Sequence, residues 1–170
     1  RVVVGVAAGA MLMCAAATAV RAESAPGLRW TAPPGWKNTG STQMRAATYA
    51  VPAAPGDTHP AECVVYFFGA GQGGPVDLNI QRWQEQFTDA SGKPAAGRVS
   101  HPVINGMKAT TLDASGSYSG LGGPMGSARP VPGYRVLAAI VEGPGGNIFV
   151  KFTGPQPTVA AQQGAFAQML

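Results

Sequence analysis

Apolar residues alternate with polar ones at Leu28, Trp30 and Ala32, the period of a strand with one buried face. Pro33-Pro34-Gly35 then breaks the segment with a turn. Met44–Val51, carrying Tyr49 and Val51, reads as a second strand. In Glu62–Phe68 one set of alternate positions is Cys63, Val65 and Phe67 and the other is Val64, Tyr66 and Phe68. Both sets are apolar, so this strand needs cover on both faces and belongs inside a sheet. Tyr134–Val141 has the same character, and Gly143-Pro144-Gly145-Gly146 turns it into Asn147–Phe152. There Ile148, Val150 and Phe152 alternate with Phe149 and Lys151.

Two segments show a helical period instead. After Pro75, which suits a first helical position, Val76, Ile80, Trp83 and Phe87 fall at spacings of four, three and four. Asp77 in the first turn complements the helix dipole, and Gln81, Arg82 and Glu85 point away from the stripe. The closing segment from Thr158 to Leu170, led by Pro157, places Val159, Gln163, Phe166 and Leu170 on one face, with Met169 at its edge. Between the two, Asn105-Gly106 joins Val99–Ile104 to Met107–Leu112 as a hairpin, with Leu112–Tyr118 prolonging the second arm. Ser119 to Gly133 is a long Gly/Pro loop. The pattern predicts an α+β fold: an antiparallel sheet of about six or seven strands, with helices packed on it through Val76, Ile80, Trp83, Phe87, Val159 and Phe166.

The first residues follow another logic. Arg1 gives a positive start, Val2 to Val20 is continuously apolar or small, and Val20-Arg21-Ala22 satisfies the small-x-small rule for cleavage before Glu23. Residues 1–22 are therefore expected to be an export signal, residues 23–27 a short tether and residues 28–170 a single domain in the periplasm or secreted. A retained anchor is disfavoured by the Ala/Gly content of the run, so no transmembrane span is expected in the mature chain. Lipid anchoring through Cys14 is disfavoured because the bulky Met13 precedes it.

Charge adds little. The chain carries 12 Lys and Arg against 8 Asp and Glu, a net +4, and removal of Arg1 and Arg21 lowers this to +2. No basic run or aromatic-interleaved stripe is visible, which argues against a nucleic-acid partner. Cys63 is the single cysteine outside the leader, so no internal disulfide forms, and its apolar strand marks it as a buried, inert thiol.

The candidate chemistry begins where Glu62–Phe68 runs into Gly69-x-Gly71-x-x-Gly74. A dinucleotide fingerprint has this form, but it works only in a parallel β-α-β unit with an acid at the end of the following strand. The acid at that distance, Asp89, falls in a loop, and the later strand pairs are hairpins. No cofactor is expected. Gly69, Gly71, Gly73 and Gly74 are better read as a tight strand-to-helix crossover, with anion binding at its N–H groups as the alternative.

Asp57, His59 and Glu62 are weak candidate metal ligands, at a spacing that matches no standard site. His101, beside Pro102, reads as an exposed strand residue. The elbow G-x-S-x-G is absent from Gly116–Gly120, whose middle residue is Tyr118, and the scattered acids suggest no glycosidase pair.

The segments "GLRWTAPPGW", "MRAATYAVP", "CVVYFFGAGQGG", "NIQRWQEQF", "YRVLAAIVEGPGGNIFVKFTGP" and "TVAAQQGAFAQML" resemble a group of uncharacterised exported bacterial proteins similar in fold to PsbP, the extrinsic photosystem II protein. The resemblance spans Leu28–Leu170. It implies an antiparallel sheet with packed helices and transfers no catalytic residue. The functional expectation is a non-enzymatic cell-envelope or periplasmic protein that binds or stabilises a partner. The alternative is a small-ligand or anion-binding module at Gly69–Gly74 and the Gly120–Gly133 loop. A metal-dependent enzyme built on Asp57, His59 and Glu62 comes last.

Overall fold

The computed structural model describes residues 22–120 and 129–170. The expected export signal, apart from Ala22, lies outside them, as does the middle of the Gly/Pro loop. Strands β1 (Ala22–Ala25) and β2 (Leu28–Thr31) form a separate antiparallel ribbon. Then come β3 (Lys37–Gly40), β4 (Arg45–Val51) and β5 (Ala61–Phe67). Helix α1 (Val76–Gln84) follows, and after it β6 (Phe87–Thr88), β7 (Gly97–Ser100), β8 (Val103–Ile104) and β9 (Met107–Tyr118). The chain closes with β10 (Val131–Gly143), β11 (Gly146–Pro155), α2 (Gln156–Ala161) and α3 (Gln163–Met169).

Nine of the described strands make one sheet, in the order β3-β4-β5-β11-β10-β9-β6, with β7 and β8 also paired to β9. Every registered pairing is antiparallel. The α+β class and the antiparallel sheet therefore stand, and β5 lies between β4 and β11 as its two apolar faces require. The β9 side facing away from β10 is shared end to end by three short strands. Phe87 pairs Tyr118, Gly97 pairs Ala114 and Ile104 pairs Met107. The last of these is the Asn105-Gly106 hairpin, whose left-handed φ values of 49° and 82° give the turn its sharpness.

Several expectations need correction. The sheet has nine strands among the described residues rather than six or seven. The extra ones are short: β3 is exposed along its whole length and so lacks any apolar alternation. His101-Pro102 divides the expected strand Val99–Ile104 into β7 and β8. Residues 23–27 are not a free tether. Ala25 is buried, and the Glu23 carboxylate accepts from the Tyr49 hydroxyl and the Asn38 amide. Phe87 leaves the helix, which ends at Gln84, but still reaches the same apolar layer from β6. The closing helix breaks at Gln162, whose side-chain oxygen accepts the Trp36 indole N–H at 3.0 Å.

A hydrophobic layer lies on each side of the sheet. On one side Ile148, Val150 and Phe152 pack with Val65, Tyr49 and Trp36 beneath Val159, Phe166 and Met169. On the other, Phe149, Val136 and Ile140 meet Ile80 and Trp83 of α1, together with Phe87 and Tyr118. Trp83 stands edge-on to Phe149 at 6.4 Å, so the α1 stripe is core.

Candidate functional site

The glycine stretch is a crossover. Gly69, Gly71, Gly73 and Gly74 all have left-handed φ values, between 68° and 106°. Gly73 is the one under steric demand: a Cβ there would lie 2.6 Å from the Phe149 ring and 2.9 Å from Phe68. Gly71, the position a pyrophosphate would approach, faces open space. The Gly73 and Pro75 carbonyls each accept from the Asn79 amide at 2.8 Å, and the Asn79 oxygen accepts from the Arg82 guanidinium. Asn79 is buried, so the crossover's contribution is to fix Arg82.

The other candidates disperse. Asp57 accepts from the Thr158 backbone N–H at 3.0 Å and from its hydroxyl, holding the first turn of α2. His59 contacts Thr58, and Glu62 pairs with Arg45 at 3.6 Å. No group of three metal-ligating side chains occurs among the described residues. Asp89 closes its own loop by accepting from Ser91 and Lys93, bonds that hold its carboxyl below the usual range. His101 sits across from Thr110, with Nδ1 and Oγ1 3.2 Å apart. Cys63 is fully buried, and burial pushes its thiol pKa up, in keeping with an inert side chain.

What gathers instead is a set of side chains that the sequence pattern left scattered. Beyond the end of α1, on the Phe149 side of the sheet, a cavity of about 550 Å³ opens between Arg45, Glu62, Tyr66, Arg82, Tyr118 and Lys151. Val64, Gln86 and Thr153 line it as well, and Ser119 and Gly120, the start of the Gly/Pro loop, form part of its rim. Lys151 lies across from Val64 in the β5–β11 ladder, and Thr153 across from Glu62.

Lys151 is 9% exposed. Its ammonium donates to Gln86 Oε1 and to Tyr118 Oη, the latter at 3.2 Å, and sits 5.1 Å from the centre of the Tyr118 ring. Burial lowers its pKa to about 8; Glu62 opposes the shift, and Arg82 and Arg45 add to it. Tyr118 is clamped between Phe87 and Tyr134, at 4.9 and 5.7 Å, and burial raises its hydroxyl to about 12. Arg45 lies over the Tyr66 ring at 5.7 Å. The Thr153 hydroxyl is buried with no hydrogen-bond partner among the described residues. An orphaned hydroxyl of this kind costs roughly 1–3 kcal/mol.

Three cations thus face one carboxylate across a partly desolvated wall. Lys151 could have been suspected from sequence, as the one charged residue in the apolar run Ile148–Phe152. Arg45, Arg82, Tyr118 and Thr153 carried no such signal, because only strand pairing and the end of α1 bring them together.

Fold and cavity together define an α+β protein with a cation-lined pocket on one face of an antiparallel sheet. No family model and no curated protein matches the chain. Among solved structures it is similar to the protein of unknown function PA94 from Pseudomonas aeruginosa. The identity is 14% and the TM-score 0.49, over 88% of this chain and 92% of that one. No helix among the described residues is long and apolar enough to cross a membrane.

Proposed function

We propose that this is an exported, non-enzymatic envelope protein that holds a small anionic molecule in the cavity around Lys151. One observation carries the reading: a buried lysine lines the same cavity as two arginines, against a single carboxylate. Burying a cation without a bonded carboxylate is costly, and an anion with hydrogen-bond acceptors offsets that cost. The export part of the reading is supported by the apolar leader of residues 1–22 and by the resemblance to exported PsbP-like proteins. The anion-binding alternative is thereby moved from Gly69–Gly74 to the cavity that Gly120 borders.

The test is thermal unfolding of the mature protein with acetate, oxalate, phosphate or sulfate at constant ionic strength. At least one of these anions should stabilise saturably, reaching about 2.7 kcal/mol at a hundredfold excess over its Kd. Lys151→Met should abolish the effect. Equal stabilisation of the variant and the wild type, or none of either, would sink the reading.

A further inference from the structure

We infer that Lys151 captures the carbonyl carbon of a small anionic aldehyde or ketone, such as a 2-oxo acid, as a reversible imine. This rests on the anion-site reading and names the class of molecule the site takes. Lys151 is the one amine lining the cavity among the described residues, and the two guanidinium groups that would hold the ligand's carboxylate line it too. Hydrogen bonds to Gln86 and Tyr118, whose ring centre lies 5.1 Å from Nζ, fix the direction in which the amine points.

The step balances without an oxidant or reductant. The neutral amine adds to the carbonyl carbon, a C–N bond forms, and the carbonyl π pair moves to oxygen, which takes up a proton. Loss of that hydroxyl as water, with departure of the remaining N–H proton, leaves C=N. Tyr118 Oη, 3.2 Å from Nζ, is positioned to pass the proton and is itself protonated at neutral pH. The neutral amine is available because burial brings the ammonium down to about 8, with Glu62, Arg45 and Arg82 as the charged groups facing it.

The experiment treats the folded protein at pH 8 with glyoxylate and cyanoborohydride and maps the reduced adducts by peptide mass, with and without oxalate. The exposed Lys37, Lys93 and Lys108 are internal controls. Lys151 should label about tenfold faster than these, since ordinary lysines remain protonated up to about pH 10. Oxalate, an anion with no reactive carbonyl, should slow Lys151 alone. Labelling of Lys151 no faster than the controls, while oxalate still stabilises the protein, overturns the imine and leaves the anion site standing. If none of acetate, oxalate, phosphate and sulfate stabilises the protein and Lys151 is slow, both readings fall. Fast labelling indifferent to saturating oxalate also overturns the inference, because amine and anion site are then not shared.

Discussion

Strand β11 turns Ile148, Val150 and Phe152 to one side of the sheet and Phe149, Lys151 and Thr153 to the other. The first side is covered along its length by the β1–β2 ribbon, Trp36 and the two C-terminal helices. Among the described residues the second is covered by Ala95 and by one helix, α1, whose nine residues span about 13 Å against about 33 Å for the ten-residue strand. The cavity begins near the end of α1, where Arg82 and Gln86 line it.

Each side also carries a cation out of full solvent contact, and the two are handled differently. Arg135 donates through Nε and Nη2 to both oxygens of Asp113, at 2.8 and 2.9 Å, and that bonding raises its pKa while lowering that of Asp113. Among the described residues Lys151 has no carboxylate in bonding range, only a neutral amide and a phenol, and burial lowers its pKa. A satisfied pair is structure. A buried cation left without its counterion is the feature that calls for a ligand.

The contrast can be broken most severely at Phe152, which is fully buried and stacked on Phe166 at 5.7 Å. Phe152→Ala should cost about 3–5 kcal/mol in urea unfolding, because the packed layer around it cannot collapse to fill the space. Lys151→Met should go the other way, raising stability by about 1–2 kcal/mol while removing anion binding. A loss of stability on that substitution would mean that the lysine is structural after all.

Changing pH separates the two cations. The folded pKa of Lys151 lies at about 8, below the unfolded value, so the unfolded state binds more protons between about pH 8 and 10. Wild type should therefore gain stability relative to Lys151→Met as pH rises through that window. Asp113 behaves in the opposite limb. Its folded pKa is depressed, chiefly by the Arg135 hydrogen bonds, so it contributes stability above the unfolded carboxylate value. That contribution is lost as pH falls through the folded value, and Asp113→Asn should flatten the acid limb of the stability curve. The smallest expected effect is at Thr153. Thr153→Val removes the orphaned hydroxyl and should add about 1 kcal/mol in urea unfolding, with anion binding unchanged by calorimetry.

How much of this was legible in advance depends on the range of the forces concerned. The period of Val76, Ile80 and Trp83 marked α1, and the doubly apolar Glu62–Phe68 and Tyr134–Val141 marked the inner strands. Burial acts on each element through its own neighbours, so these signals survive in a single chain. Asn105-Gly106 was readable because a turn needs particular backbone angles over two residues. β1 was missed because its order comes from pairing with β2 and from the Glu23–Tyr49 hydrogen bond, not from an apolar pattern of its own.

The chain alone, then, determined the inner strands, helix α1 and the antiparallel hairpins, all set by local backbone geometry and the period of apolar residues. Only the tertiary structure decided that Arg45, Arg82, Tyr118, Lys151 and Thr153 share one cavity. They come from three strands and a helix far apart in sequence, and their meeting depends on register and on where α1 ends. Neither quantity is written in any one segment.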